Sequence, residues 1–531
     1  MNQVNNFKSK RIFCSIIHWG KVSVLLLLAY ASFNCSGKND CQGDCPNIVY
    51  ILADDLGYGE LGCYGQKLIE TPNLDELASN GMKFTQHYAG APVCAPSRCV
   101  LLTGRHSGHA YIRGNDAWSE RGDVWDFAKA VADPNLEGQR PMPDSIPTIG
   151  NILQEAGYVT AIIGKWGLGG PLTEGIPTNM GFDFFYGYNC QRQAHTLYPK
   201  HLWKNREKII LDNELVVPGT KLASNADPTH LSSYAKYIQK DYAPELMLDE
   251  AIGFIEQNRE HPFFLFFASP LTHAPLQIPQ EYVDVYVNKF GEEKPYSGNN
   301  GYFPNRYPRA AYAAMASYLD NQVGMIISKL KELGIYENTL IIFSSDNGPT
   351  YNGGTDSPFF NSAGPFKSEL GWGKGFTHEG GIRVPMIACW EGKIAPGAIS
   401  DHISAFWDVL PTLAEVAGTE VSNNSDGISF LPELLGSRDQ EQHEFLYWEF
   451  PSNKGQQAVR IGKWKGIRKN IFMGNLEIEL YNLNEDPAEQ NNVAKEHPEV
   501  VERIAQLMKQ EHIPAQLASF RMEELGDVMN D

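Results

Sequence analysis

The chain has 531 residues, 42% of them hydrophobic and 11% aromatic, enough to bury a large core and a second, smaller domain. A formal charge of -19 excludes nucleic acid and anionic membrane surfaces as main partners, because the overall field repels polyanions. A small anion stays admissible wherever a local pocket is basic.

Lys8, Lys10, Arg11 and Lys21 precede an apolar run over 22–31 that is too short for a stable anchor and has the layout of a signal peptide. The chain is therefore expected to be exported. Cys35 follows Ser32-Phe33-Asn34, a loose match to a lipoprotein cleavage site, so 1–35 reads as a leader ending in either a lipid anchor at Cys35 or simple cleavage. Cys41 and Cys45 stand close enough to pair in an oxidising compartment. Residues 36–45 read as a polar linker, 46–435 as a large α/β domain and 436–531 as an α+β subdomain.

Residues 47–52 form a continuous branched apolar run, the pattern of a central strand buried on both faces, which stops at Asp54 and Asp55. Paired carboxylates at the carboxyl end of such a strand lie where an open α/β sheet places its site; alone they would also serve as a turn or cap. Spacing predicts a helix over 71–80, a strand over 83–87 and a tight turn at 92–96 feeding a helix over 97–103. Cys94 would lie at the positive end of that helix with Arg98 one turn on, which makes it either an activated cysteine or a buried structural one. The polar loop over 106–118, with His106, His109 and Arg113, reads as a wall of the site or as solvated surface.

A helix over 147–156 and a strand over 158–163 lead to Lys165-Trp166-Gly167. Residues 181–205, rich in Gly and aromatics and carrying Arg192 and His195, read as a loop layer above the site, not as core. A helix over 245–258 and a strand over 262–269 deliver His273 to the same rim, and 281–306 reads as a polar, irregular excursion. The longest helical pattern covers 310–333; the strand over 339–343 then ends at Asp346-Asn347, a carboxylate and an amide carbonyl suited to Ca²⁺ or Mg²⁺. Segment 373–385 carries Lys374, His378, Glu379 and Arg383. A strand over 385–390 and a helix over 406–417 follow. Four short alternating strands over 444–449, 457–461, 464–468 and 477–482 and a charged helix over 498–510 close the chain.

Cys94-Ala95-Pro96-Ser97-Arg98 followed by Leu102-Thr103-Gly104-Arg105 resembles the signature of the type I sulfatases of the alkaline phosphatase superfamily. Asp54-Asp55, Gly164-Lys165-Trp166, Asp346-Asn347-Gly348 and Glu379-Gly380-Gly381-Ile382-Arg383 recur in that family's order. The resemblance implies a large, mostly parallel sheet sandwiched by helices with a smaller C-terminal antiparallel sheet, and hydrolysis of sulfate monoesters. It implies that Cys94 is oxidised to formylglycine by a maturation enzyme and that Asp54, Asp55, Asp346 and Asn347, with residue 94, hold Ca²⁺ or Mg²⁺. Arg98, Lys165, His273 and Lys374 would surround the sulfate, with His273 or Lys374 protonating the leaving oxygen. Gly167 departs from the pattern, because the family carries a histidine there; His106 and His109 are the expected replacements.

Export and the aromatic insertion point to a bacterial carbohydrate sulfatase, periplasmic or outer-membrane-associated, and the variant Gly164-Lys165-Trp166-Gly167 resembles bacterial enzymes acting on galactose or N-acetylgalactosamine sulfates. His106, His109, Arg113, Arg192, His195 and His378 are its candidate sugar contacts. The competing readings are a phosphonate monoester or phosphodiester hydrolase of the same superfamily, and an inactive glycan-binding lipoprotein, which Gly167 alone favours.

Overall fold

The computed structural model describes residues 45–421 and 425–529. The leader over 1–35, the lipid anchor at Cys35, most of the linker and Cys41 lie outside the described residues. Eleven strands form one sheet: β1 (Asn47–Ala53), β2 (Met82–Tyr88), β3 (Val159–Lys165), β4 (Phe184–Tyr188), β5 (His201–Lys204), β6 (Glu207–Ile210), β7 (Phe263–Ala268), β8 (Thr339–Ser345), β9 (Arg383–Cys389), β10 (Ala398–Ser400) and β11 (Ser404–Ala405). Their order is β10-β2-β9-β8-β1-β7-β3-β4-β5-β6, with β11 beside β2. The centre, β8-β1-β7-β3-β4, is parallel throughout. A second sheet of four antiparallel strands, β12 (Leu446–Phe450), β13 (Gln456–Ile461), β14 (Trp464–Lys469) and β15 (Ile478–Asn482), follows the large one.

Alternation along β1 assigns the two layers. Val49, Ile51 and Ala53 enter one apolar core, under helices α1 (Pro72–Asn80), α4 (Ala243–Asn258), α5 (Gln280–Phe290) and α6 (Pro308–Glu332). Ile48, Tyr50 and Leu52 enter the other, under α2 (Cys94–Thr103), α3 (Ile149–Glu155) and α7 (Val409–Val416). A strand buried on both faces needs no polar alternation, which is why β1, β7 and β8 read as unbroken apolar runs. Among the described residues no helix is long and apolar enough to cross a membrane.

Two expectations need correction. Residues 184–188 and 201–210 are sheet, not a loop layer: β4 pairs with β3 over five positions and β5 and β6 extend the edge. Glycine in this stretch has a packing reason, since a Cβ on Gly187 would lie 1.9 Å from the Gly164 carbonyl oxygen. The excursion over 281–306 contains helix α5, whose Val283 and Tyr286 are buried one turn apart against the core of α6.

The two sheets are joined by buried charge. Glu379, fully buried, accepts hydrogen bonds from Tyr88 Oη (2.7 Å) and Arg383 (3.0 Å) on one oxygen and from Lys465 Nζ (2.8 Å) on the other. Lys465, on β14, also pairs with Glu489 at 3.0 Å, and Arg460, on β13, donates to Tyr88 Oη. Against the burial that would raise it, Lys465 and then Arg383 hold the Glu379 carboxyl down to about 2. Helix α8 (Pro498–Gln510) packs its apolar stripe of Ile504, Leu507 and Met508 on the far side of this sheet.

Candidate active site

Register brings the carboxyl ends of the central strands to one level. Ala53 pairs with Ser345, Leu52 with both Ser344 and Ala268, and Gly164 with Ala268, so Asp54, Asp346, Lys165 and the turn to His273 emerge side by side. Backbone bonds lock the edge: Asp346 N donates to Ala53 O (3.0 Å) and Thr272 N to Asp54 O (2.7 Å). Asp55 takes a left-handed conformation (φ 65°), a region that among side-chain-bearing residues favours Asn and Asp, and its N–H donates to Asp346 Oδ1 at 3.2 Å.

Cations interleave these carboxylates. Arg98 donates through Nε and Nη2 to Asp346 Oδ2 (3.0 and 2.9 Å) and lies 3.8 Å from Asp54 Oδ2. Lys165 Nζ pairs with Asp54 Oδ2, and Lys374 Nζ lies 2.6 Å from Asp55 Oδ1 and 3.6 Å from Cys94 Sγ. His273 Nε2 stands 3.8 Å from Asp55 Oδ2, while its Nδ1 bonds the Ala274 carbonyl. The structure thus gathers Asp54, Asp55, Cys94, Arg98, Lys165, His273, Asp346, Asn347 and Lys374, drawn from chain positions more than 300 residues apart, into one buried cluster.

The electrostatics of that cluster are unbalanced. Against burial, Lys165 and then His273 hold Asp54 well below the carboxylate range. Burial and the neighbouring Asp54 push Asp346 up to about 7, and burial raises Asp55. Two buried oxygens, Asp54 Oδ1 and Asn347 Oδ1, have no hydrogen-bond partner; the Asn347 amide NH₂ is spent on Asp55 Oδ1 (2.8 Å) and Gly348 O (2.9 Å). Orphan acceptors beside crowded carboxylates fit a hard divalent cation.

Cys94 corrects one expectation. It does open α2 and lies at its amino end, but burial and then Asp54 push the thiol up to about 12. As a thiol it stays protonated and is no activated nucleophile.

The tentative contacts divide. His195 stacks on the His273 ring at 5.5 Å and lies edge-on to Tyr302 at 5.2 Å, so it lines the rim. Arg192 turns away, donating to the carbonyls of Val124 and Trp125. Arg113 is buried against Glu449 (2.8 Å) and the Ile513 carbonyl, and His378 lies under Trp372 on the side of Lys465. His106 and His109 lie beyond the opposite end of α2 from Cys94, against Asp426 and Glu511, so neither replaces the missing histidine.

The space beside Gly167 is filled by Gln191 instead. Gly167 sits at φ 82°, and a Cβ there would lie 2.8 Å from Gln191 Oε1, itself buried without a partner. Gln191 Nε2 donates to Asn115 Oδ1 (3.1 Å), which also accepts from Ala95 N–H (3.2 Å), next to Cys94. Sequence reasoning missed Gln191 and Tyr302, while Asn115 belongs to the polar loop over 106–118 read as a wall of the site or as solvated surface. Tyr302 has a left-handed backbone (φ 58°) and lies in the excursion read as surface.

Comparison with known proteins identifies the family and the fold. The sulfatase family model matches residues 46–419, and a model described as the C-terminal region of N-sulphoglucosamine sulphohydrolase matches 368–515. Human arylsulfatase A is 34% identical over 496 residues, covering 87% of each chain, and human N-acetylgalactosamine-6-sulfatase is 30% identical over 509 residues, covering 89% of this chain and 87% of that one. The crystal structure of Ps i-CgsB superposes with a TM-score of 0.69 at 27% identity, covering 92% of this chain and 95% of that one. A phosphonate monoester hydrolase from Agrobacterium radiobacter shares the fold (TM-score 0.56, 18% identity, 88% of this chain and 95% of that one). The chain belongs to the sulfatase family, and is a sulfuric ester hydrolase.

Proposed function

We propose that this enzyme removes O-sulfate from a carbohydrate, with Cys94 as formylglycine and Ca²⁺, or Mg²⁺, held by Asp54, Asp55, Asp346, Asn347 and residue 94. The observation that carries this reading is the pair of orphan oxygens, Asp54 Oδ1 and Asn347 Oδ1, inside a ring of buried cations. An all-oxygen donor set suits a hard ion better than zinc. When bound, the ion and the aldehyde hydrate supply an acidified hydroxyl as the nucleophile for sulfur.

The chain's own residues do the rest. Arg98, Lys165 and Lys374 offer charge-assisted donors to the sulfate oxygens, which resolves an anionic substrate with an acidic protein. As the ester S–O bond breaks with its electron pair on the sugar oxygen, Lys374 gives that oxygen a proton; His273, whose Nδ1 serves Ala274, brings an unprotonated Nε2 to the same wall. His195 and Tyr302 form an aromatic rim suited to the apolar face of a sugar. Cys94 is 0% exposed, so a maturation enzyme must reach it before the chain folds.

The carbohydrate class draws on the relatives. One is named for N-acetylgalactosamine 6-sulfate, and Ps i-CgsB has been crystallised with k-i-k-neocarrahexaose. We assign a sulfated galactose-type glycan, met after export in the periplasm or at the outer membrane.

Mass spectrometry of the tryptic peptide bearing Cys94, from protein made in its native host, tests the reading together with initial rates on galactoside sulfates and on an aryl phosphonate. Formylglycine and a preference for sulfate are expected. An unmodified thiol in active enzyme, or faster phosphonate cleavage, would overturn it.

A further inference from the structure

Two histidines sit far from the chemistry with their metal-binding nitrogens turned toward carboxylates. His106 and His109 follow the carboxyl end of α2; Glu511 follows the carboxyl end of α8; Asp426 comes from the segment after α7. His106 Nε2 lies 3.3 Å from Glu511 Oε2 and 3.9 Å from Asp426 Oδ2, and His109 Nε2 lies 3.9 Å from Glu511 Oε2. The two imidazole ring centres lie 3.9 Å apart, with the rings tilted by 31°. We infer that His106, His109 and Glu511, with Asp426 behind them, form a zinc site that pins the end of the nucleophile helix to the C-terminal subdomain.

Geometry and proton placement carry this. Tetrahedral zinc with bonds of about 2.0–2.2 Å holds its ligand atoms roughly 3.4 Å apart; Glu511 Oε2 already lies 3.3 and 3.9 Å from the two imidazole nitrogens, and all three ligand atoms fall within 4.8 Å of one another, so closing the site needs side-chain shifts of about an ångström. His109 Nδ1 lies 2.9 Å from both oxygens of Asp426 and donates there, which turns Nε2 toward Glu511 Oε2 at 3.9 Å and frees it as the ligand nitrogen of the neutral ring. A carboxylate behind a histidine is the arrangement that orients a zinc-bound imidazole. An imidazole nitrogen facing a carboxylate needs a proton or a metal ion between them, and the tetrahedral spacing favours the metal. Two imidazoles select zinc over the calcium suited to the all-oxygen site.

His106 has an alternative. Its Nδ1 accepts from Gly108 N–H at 3.2 Å, so without metal its proton sits on Nε2 and points at Glu511. Zinc would move that proton to Nδ1 and open the Gly108 contact, a modest cost beside two metal bonds. A cavity of about 400 Å³, lined by Arg105, His109, Asp426, Ile513 and Gln516, opens beside His109 and gives an ion and a water ligand a way in. Arg113 lines it too but is committed to Glu449.

The test uses the exported full chain, stripped with a chelator and dialysed against excess Ca²⁺ with micromolar Zn²⁺. Elemental analysis is expected to find one zinc per chain, lost in the His106→Gln/His109→Gln variant. Co²⁺ in place of zinc should give the strong visible bands of a tetrahedral site, and zinc should raise the unfolding temperature of the parent chain. Zinc retained equally by the variant, or a parent chain with neither zinc nor tetrahedral cobalt bands, overturns the proposal in favour of a purely hydrogen-bonded cluster. The cobalt spectrum is read on the parent chain, so a variant that misfolds leaves the test intact.

Discussion

Two buried charge clusters sit in this molecule, and they solve opposite problems. Around Glu379 the cations Lys465, Arg383 and Arg460 outnumber the carboxylates Glu379 and Glu489, every oxygen of Glu379 is engaged, and its carboxyl is held at about 2. Around Cys94 three carboxylates face three cations, two oxygens are left without partners, and Asp346 is pushed up to about 7. The first cluster is a finished joint between two sheets. The second is incomplete by design, because a site that must admit a cation and an anion cannot satisfy itself.

The sharpest way to break the comparison is to remove the residue that only the second cluster uses for chemistry. Cys94→Ala should lower sulfate-ester hydrolysis by about 10⁴-fold or more while the unfolding temperature stays within a few degrees; assay with a chromogenic sulfate and calorimetry on the same sample decide it. Glu379→Ala should do the reverse, costing about 3–5 kcal/mol of stability by leaving Lys465 and Arg383 buried beside too little negative charge.

The same joint gives a pH signature. Glu379 has a folded-state pKa below its ordinary 4.5, so its contribution is present above 4.5 and lost as pH falls toward 2. Glu489, raised to about 7 by burial, works the other way, and stability drains as pH rises from 4.5 to 7. Denaturant midpoints against pH should show the acid slope in the parent chain and lose it in Glu379→Ala. Removal of divalent cations should lower turnover about 10²–10³-fold with little loss of the joint's stability, measured by activity and unfolding after chelation and after Ca²⁺ is restored. Smallest is Gly167→His, which must leave φ 82° and displace Gln191; about 1–2 kcal/mol of stability should go, read from the denaturant midpoint.

The strand ends were legible because each pairs an apolar run with a polar break: Asp54 after 47–52, Asp346 after 339–343, His273 after 262–269. Fold class followed from the same runs, and family resemblance supplied the roles that spacing cannot. What stayed hidden depends on approach through space. Gln191 opens a short 3-10 turn and Asn115 lies in a loop, neither with apolar periodicity, and they meet because β4 runs parallel to β3 and delivers the chain beside Gly167. His106 and His109 lie close in sequence to Cys94, but the length of α2 carries them away. Residues 181–205 misled because glycines in a tight parallel pair read as loop punctuation.

The crowding at Gly167 also bears on descent. A side chain at 167 would meet the movable end of Gln191 at 2.8 Å, and φ 82° there strains any residue but glycine. A change from glycine to histidine in this chain is therefore a small step in stability, and it becomes smaller still once the Gln191 amide has swung aside.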